Sequence, residues 1–271
     1  MDPFIIFEGF FQLFALNFIE FVYILNSIPI EVTWLLLLFL CFSTILLFLK
    51  FFGEAGLYVY TSIAIIAANI QVLKIVKFSF FTDPVALGTI LFASTFLCTD
   101  ILTEYYSSNS ARKNILLGFF SFLFMTILML FTIGFKPLTE ITAGVDYVWA
   151  LGIQDNLIGI FLPLPIFFCS SMIAYLFSQF FDVWFYEKIS HYTNKRYLWF
   201  RNNFSTIISS FIDNSIFSIF AWIIFNPEPL KFNTVLFTFI LGTFVLRIII
   251  SIFDTPFIYL AKYFLPKKYN E

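Results

Sequence analysis

The chain has 271 residues, of which 61% are hydrophobic, only 12% are charged and 43 are phenylalanine. A water-soluble domain could not bury so much apolar surface. The formal net charge of −2 and the lack of any Lys/Arg run give no indication of nucleic-acid binding. Apolar runs of about 20 residues recur along the sequence, which is the length that a helix needs to cross a bilayer. We therefore predict an all-α polytopic membrane protein, because a membrane β-barrel would alternate apolar and polar residues.

The first predicted element is a Phe-rich segment, 3–28, which Glu8 and Glu20 interrupt. Carboxylates are costly in lipid, so a helix lying in the membrane interface is favoured over an additional span. Seven apolar segments follow, each predicted to be a transmembrane helix. Their approximate bounds are 33–52, 56–77, 85–105, 114–135, 160–187, 204–226 and 233–262.

The distribution of basic residues predicts the orientation of these spans, because cytoplasmic loops carry an excess of Lys and Arg. With the C-terminus inside, most of the 15 basic residues fall in inside loops. The outside loops then hold only Lys74, Lys77, Lys136 and Lys231. The seven-span arrangement therefore predicts a cytoplasmic C-terminus and an N-terminal segment on the outside.

Polar side chains occur inside the predicted spans, where an ionisable group costs at least about 2–3 kcal/mol unless it is paired or hydrated. Asp100 and Glu104 end the third span and stand four residues apart. Gln179 and Asp182 end the fifth and stand three apart, so each pair shares a helix face. The remaining members are Asn69 and Gln71 in the second span, Asp213 in the sixth, and Arg247 and Asp254 in the seventh. We interpret the set as lining a hydrated interior cavity.

The same residues also allow a structural interpretation, in which they form an internal ion-pair network. Burying a lone charge is costly, so we expect Arg247 to be buried and paired with a carboxylate of another span. The candidates are Asp182 and Asp213, ahead of Asp254. Glu104 has a further alternative, in which it lies among lipid headgroups and is neutralised by Arg112 or Lys113.

Enzyme motifs are absent from the sequence. It has one histidine, His191, and its three cysteines are Cys41, Cys98 and Cys169, which are far apart and form no CxxC. Neither a zinc site nor a disulfide framework is indicated. There is no GxSxG elbow and no GxxxxGK[ST] loop. We therefore expect no enzymatic activity, no cofactor and no metal.

Four long blocks carry the most specific sequence signal. They read GLYVYTSIAIIAANIQVLKIV at 56–76, FASTFLCTDILTEYYSSNSARKNILLGF at 92–119, SQFFDVWFYEKISHYTNKRYLWFRNNFSTIISSFIDNSIF at 178–217, and RIIISIFDTPFIYLAKYF at 247–264. Together these blocks resemble the queuosine precursor transporter family, also known as a vitamin uptake transporter family. The family usually has lysine where this chain has Arg247, which keeps the charge but replaces an ammonium point with a planar guanidinium fork.

The resemblance implies a multi-pass importer in the bacterial inner membrane that salvages queuosine precursors for tRNA modification. These are 7-deazaguanine bases such as preQ0, preQ1 or queuine. The resemblance also implies a six-helix core, 54–264, similar to the substrate-binding components of energy-coupling-factor (ECF) vitamin transporters. An additional N-terminal part, 1–53, would precede this core, and a cytoplasmic tail, 265–271, would follow it.

The chemistry of such a base agrees with the polar residues. Its N1–H and exocyclic amine are adjacent donors that match one carboxylate, and its O6 accepts from an amide or a guanidinium group. The substrate-binding candidates are Asn69, Gln71, Asp100, Glu104, Gln179, Asp182, Arg201, Asn202, Asp213, Arg247 and Asp254.

The expected partners are a small purine-like base and the lipid bilayer, with homo-oligomerisation left open and no nucleic acid. One alternative is a binding subunit for another purine-like base or a vitamin, which would need separate energising proteins. A weaker alternative is an intramembrane enzyme that acts on a lipid or prenyl substrate.

Overall fold

The computed structural model describes residues 3–80, 84–162 and 164–266. The helices are α1 (Pro3–Phe14), α2 (Phe18–Ser27), α3 (Ile30–Phe52), α4 (Glu54–Gln71), α5 (Thr89–Tyr105), α6 (Ser108–Gly134), α7 (Glu140–Ala143), α8 (Ile153–Phe161), α9 (Leu164–Tyr192), α10 (Leu198–Ile219), α11 (Phe232–Thr234) and α12 (Gly242–Phe264). A 3-10 turn, Val148–Ala150, precedes α8. The π-helical turn Phe220–Ile224 extends α10, and the π-helical stretch Val235–Leu241 joins α11 to α12.

Each of the seven predicted spans coincides with a long helix, namely α3, α4, α5, α6, α9, α10 and α12. Four stretches are long and apolar enough to cross a membrane: Ile30–Phe52, Ser108–Gly134, Leu198–Ile224 and Phe232–Phe264. The all-α, multi-pass class is thereby confirmed, while the count of seven spans stays a prediction.

A small β-hairpin replaces the predicted end of the second span. Helix α4 ends at Gln71 rather than near residue 77, and β1 (Ile75–Val76) pairs antiparallel with β2 (Val85–Ala86). The chain then returns against α4 at Gly88, whose φ is +101° and whose added Cβ would lie 2.7 Å from the carbonyl oxygen of Ala68. Glycine is required there by both the left-handed backbone and the close approach.

The N-terminal segment is two helices rather than the single helix predicted over 3–28. Helices α1 and α2 have 12 and 10 residues, and the break between them contains Leu16 at φ +60°. Neither is long enough to span a bilayer, which takes about 20 residues. A single spanning helix is therefore wrong, and the interfacial position stays a prediction.

Helix α3 shares one hydrophobic core with the long helices of 54–264. Its residues Leu38, Phe42, Ile45 and Leu49 recur at helical spacing and are almost completely buried. The Phe42 ring lies 4.8 Å from that of Phe257 on α12. In the described part of the chain, six long helices follow α3, in keeping with a six-helix core, and α3 packs directly on them.

Deleting residues 1–27 is expected to leave the melting temperature and ligand binding nearly unchanged, because almost every described side chain in α1 and α2 remains solvent- or lipid-accessible. A thermal-shift assay in detergent measures this. The control is deletion of 1–52, which removes the buried face of α3 at about 1.5–3 kcal/mol per side chain and should prevent folding. Loss of folding on removal of 1–27 alone would contradict the prediction.

Candidate functional site

Helix α10 carries a row of buried polar side chains along its whole length. They recur every three to four residues and therefore share one helix face. The row consists of Asn202, Ser205, Thr206, Ser209, Ser210, Asp213, Asn214 and Ser218. This face meets α5, α9 and α12, so the interior of the helix bundle is polar along one line.

A cavity lies at the C-terminal half of this row, beside the β-hairpin. Its empty volume is about 690 Å³, part of it open to the surroundings, and it is walled by α9, α10, α12, β2 and the π-helical stretch. The loops beside it belong to the side that the basic-residue distribution assigns to the outside.

The charged pair of the cavity is Asp213 and Arg247, from α10 and α12. Arg247 Nη1 donates to Asp213 Oδ2 at 2.7 Å, and Ser178 Oγ donates to Asp213 Oδ1 at 3.1 Å. Both charged side chains are less than a tenth exposed. The prediction that Arg247 is buried and paired with a carboxylate of another span is confirmed.

Two residues that line the cavity each have a buried polar atom that lacks a hydrogen-bond partner among the residues that the structure describes. These atoms are Arg247 Nε, a charged donor, and the hydroxyl oxygen of Ser171. A buried polar group without a partner costs about 1–3 kcal/mol. These two atoms can therefore serve a polar ligand.

Asn214 supports the cavity rather than facing it freely. Its Nδ2 donates to the carbonyl oxygens of Phe239 and Ile240 and to Thr243 Oγ1, at 3.2, 2.7 and 2.7 Å. The carbonyls belong to the π-helical stretch. Such π-helical turns are frequent at functional sites, and here the amide fixes the turn against α10.

Aromatic rings contribute to the apolar part of the wall, because Trp222 and Phe239 are among its lining residues. Phe167 contacts Trp222 from outside this lining. The rings of Trp222 and Phe239 lie 4.7 Å apart at 31°, and Phe167 meets Trp222 edge-on at 5.7 Å. Sequence reasoning missed Trp222 and Ser171. The sequence does contain an indication of Trp222, because Trp222 continues the spacing of the polar row on α10, one turn after Ser218 and two turns after Asn214.

The opposite end of α10 is held by a second ion pair, in which Arg201 is buried and Glu104 is partly buried. Arg201 Nε and Nη2 donate to Glu104 Oε2 and Oε1 at 3.0 and 2.5 Å, and the Tyr186 hydroxyl donates to Oε2 at 2.8 Å. The alternative that Arg112 or Lys113 neutralises Glu104 is wrong, because Arg112 contacts Glu187 at 3.5 Å instead. The partner of Glu104 comes from a helix distant in sequence.

Three further acids, Asp100, Asp182 and Asp254, lie between the two ion pairs. All three are essentially fully buried. Each accepts one hydrogen bond from α10: Asp100 from Thr206 at 3.1 Å, Asp182 from Ser209 at 2.8 Å, and Asp254 from Asn202 Nδ2 at 2.7 Å. None of these residues lines the cavity.

The remaining predicted site residues lie elsewhere. Asn69 is buried and donates to the carbonyl of Ile65 in its own helix at 2.8 Å. Gln71 lines a smaller neighbouring pocket. Gln179 joins α9 to α5, because its Nε2 donates to Thr95 at 2.8 Å and its Oε1 accepts from Thr99 at 3.1 Å. The predicted residues thus divide between the cavity, the acid cluster and helix-to-helix contacts.

A multi-pass helical bundle with a charged and aromatic cavity among its helices is typical of a membrane transporter. Comparison with known proteins gives the family. Residues 86–261 match the family described as "Putative vitamin uptake transporter". The chain belongs to this transporter family, which confirms the resemblance found in the sequence, and it is a transporter rather than an enzyme.

A named relative agrees with this assignment. The chain is 32% identical over 234 residues to a "Probable queuosine precursor transporter" of Bacillus subtilis (strain 168), which covers 86% of this chain and 95% of the relative. No solved structure matches the chain significantly. The resemblance to ECF substrate-binding components therefore stays a prediction.

Proposed function

We propose that the chain imports a 7-deazaguanine precursor of queuosine, which binds in the cavity around Asp213 and Arg247. The observation that carries this proposal is the combination, in one small cavity, of a carboxylate, a guanidinium group with an unpartnered N–H and two adjoining aromatic rings. The relative named as a probable queuosine precursor transporter supports the substrate class. Import into a bacterial cytoplasm across the inner membrane, with the C-terminus cytoplasmic, is part of the proposal.

The Asp213 carboxylate and the Arg247 guanidinium complement the donors and the acceptor of the base. Asp213 already accepts from Ser178 and Arg247, but a carboxylate has about four acceptor sites and can still accept from N1–H and the amine. Arg247 Nε can donate to O6. Trp222 offers a flat face for stacking, which is worth about 1–3 kcal/mol per base in other base-binding proteins.

The alternative function is that of a binding subunit, which would bind another purine-like base or a vitamin and would need separate energising proteins for transport. It uses the same cavity, so only transport separates the two. Uptake of a labelled base by the purified chain in liposomes supports import by this chain alone. Binding without uptake would favour the subunit.

A thermal-shift panel tests the substrate class. The purified protein is heated with preQ0, preQ1, queuine, guanine and several vitamins. A ligand that binds only the folded state stabilises it by about 2.7 kcal/mol at a hundredfold excess over Kd. We expect a higher melting temperature with at least one 7-deazaguanine base, whereas a shift only with a vitamin would contradict the proposal.

Replacing Ser171 with alanine is expected to weaken base binding about 2- to 12-fold without lowering the melting temperature. The hydroxyl has no partner in the described chain, so its removal costs the fold nothing, whereas a hydrogen bond to the ligand is worth about 0.5–1.5 kcal/mol. The matched control is Thr126→Val, a buried hydroxyl on α6 that bonds to the Phe122 carbonyl. Equal affinity of Ser171→Ala and wild type would remove Ser171 from the site.

A further inference from the structure

The acid cluster Asp100, Asp182 and Asp254 carries more negative charge than the described residues neutralise. Within 3–80, 84–162 and 164–266, the buried arginines Arg201 and Arg247 pair with Glu104 and Asp213. No ion pair reaches the cluster in that part of the chain. Three buried carboxylates without a counter-charge would each cost several kcal/mol, so the cluster requires a cation or protons.

A second observation gives the chemistry of what is missing. In the described chain, the buried oxygens of the cluster that lack a hydrogen-bond partner are Asp182 Oδ2, Asp254 Oδ2 and Asn202 Oδ1. All three atoms are hydrogen-bond acceptors. The amide oxygen of Asn202 is independent of the acids, since an amide does not take up a proton at neutral pH and always needs a donor.

Protons on the acids supply these donors. Asn202 Nδ2 already donates to Asp254 Oδ1 at 2.7 Å, so the two unpartnered oxygens belong to groups in contact. A proton on Asp254 turns its carboxyl into a donor beside the amide oxygen. Asp100 and Asp182 accept from Thr206 and Ser209, which are three residues apart on α10. A like charge nearby disfavours ionisation of a buried carboxyl, so a proton on one of the two acids would lower the cost of burying both.

We propose that Asp100, Asp182 and Asp254 form a proton-carrying site that couples inward movement of the substrate to inward movement of protons. In each cycle, a proton enters the cluster from the outer side, crosses with the substrate and leaves to the cytoplasm. A metal cation fits less well, because no described group of His, Cys, Asp and Glu side chains has metal-binding geometry. The coupling, though not the proton site, rests on the proposed function.

One member of the cluster, Asp182, lies one helical turn from the cavity pair, which gives the coupling a physical route. On α9, Ser178 and Asp182 are four residues apart, and on α10 so are Ser209 and Asp213. Ser178 donates to Asp213, and Ser209 donates to Asp182. A ligand that changes the contacts of Asp213 therefore acts on the same two helix turns that hold the cluster.

Other charged and titratable groups face the cluster from each neighbouring helix. On α5 these are Cys98 and Glu104, on α9 Tyr186, on α10 Arg201, and on α12 Arg247. Both arginines are bound to their own carboxylates. The three aspartates are therefore the groups free to load and release protons.

Proteoliposomes test the coupling. Vesicles with a more acidic outside are given labelled preQ0, a neutral base, and accumulation is compared with exchange at equal pH. One pH unit corresponds to about 1.36 kcal/mol, so we expect up to about tenfold accumulation if one proton accompanies each base. Asp182→Asn and Asp254→Asn should abolish accumulation and retain exchange, whereas Asp155→Asn, an exposed acid on α8, should behave as wild type.

Other results overturn the proposal. Accumulation of preQ0 that is independent of the pH difference, or that follows a sodium gradient, would overturn it. Full accumulation by both Asp182→Asn and Asp254→Asn would also overturn it. If the wild-type protein does not exchange preQ0 either, preQ0 is not its substrate. Infrared spectroscopy alone then tests whether the cluster holds a proton. Wild type should show the D2O-sensitive C=O band of a protonated carboxyl, reduced in Asp254→Asn with an unchanged melting temperature. Identical bands in wild type, Asp182→Asn and Asp254→Asn would refute the site.

Discussion

Replacing Arg247 with methionine is expected to lower the free energy of unfolding by about 3–5 kcal/mol, because it leaves the buried carboxylate of Asp213 without its partner. The guanidinium also donates to the Ser210 carbonyl at 3.5 Å, a contact that methionine cannot replace. A thermal-shift assay in detergent should register a melting temperature lower by about 10 °C, at about 2–4 °C per kcal/mol.

Two further variants separate charge from recognition. The double variant Arg247→Met with Asp213→Asn should recover most of the lost stability, because neutralising both partners of a buried pair is often nearly neutral. Arg247→Lys keeps the charge but removes Nε, so it should fold and bind the base more weakly. A fully stable Arg247→Met protein would show that the Arg247–Asp213 pair does not hold α10 to α12.

The pairing of Arg247 could be predicted because the cost of an isolated charge in a membrane interior is large and general. That cost does not identify the partner. Asp182, Asp213 and Asp254 are all possible partners of Arg247 on this argument, because all three are acids in predicted spans. The choice depends on the rotation and height of α10 against α12, which side-chain packing fixes and which hydropathy does not record.

Glu104 illustrates the opposite error. The sequence offers Arg112 and Lys113 within a few residues, and proximity along the chain favoured them. The structure instead brings Arg201 from α10 to Glu104, because the N-terminus of α10 lies beside the C-terminus of α5. A bidentate buried pair is stronger than an exposed local one, so the distant partner prevails.

The sequence predicts one cavity lined by all of these polar residues. The structure separates them along α10 into the cavity around Asp213 and the acid cluster. The repeat of Ser209 and Asp213, and of Ser178 and Asp182, is visible in the sequence. Its meaning requires knowing that α9 and α10 are antiparallel neighbours. The β-hairpin was equally hidden, because its two-residue strands, Ile75–Val76 and Val85–Ala86, are too short to produce a recognisable alternation.

Replacing Arg201 with methionine is expected to destabilise the fold by about 3–5 kcal/mol, with little effect on base affinity in the molecules that remain folded. Besides binding Glu104, Arg201 Nη1 donates to the carbonyls of Lys195 and Arg196 at 3.1 Å each. That loop contains Lys195 and Tyr197 at φ +59° and +58°, a conformation unfavourable for residues other than glycine. Arg201 thus holds the start of α10 at the end of the bundle opposite to the cavity.

A double-mutant cycle between Arg201→Met and Glu104→Gln measures the pair directly. Both members lie in one hydrogen-bonded network with Tyr186, so the two losses should not add, and we expect a coupling energy of about 1–3 kcal/mol. Exposed Arg112 and its partner Glu187 provide the matched control cycle, with at most about 1 kcal/mol. Purely additive effects in the Arg201–Glu104 cycle would mean that the Arg201 guanidinium stabilises the fold through the loop carbonyls alone.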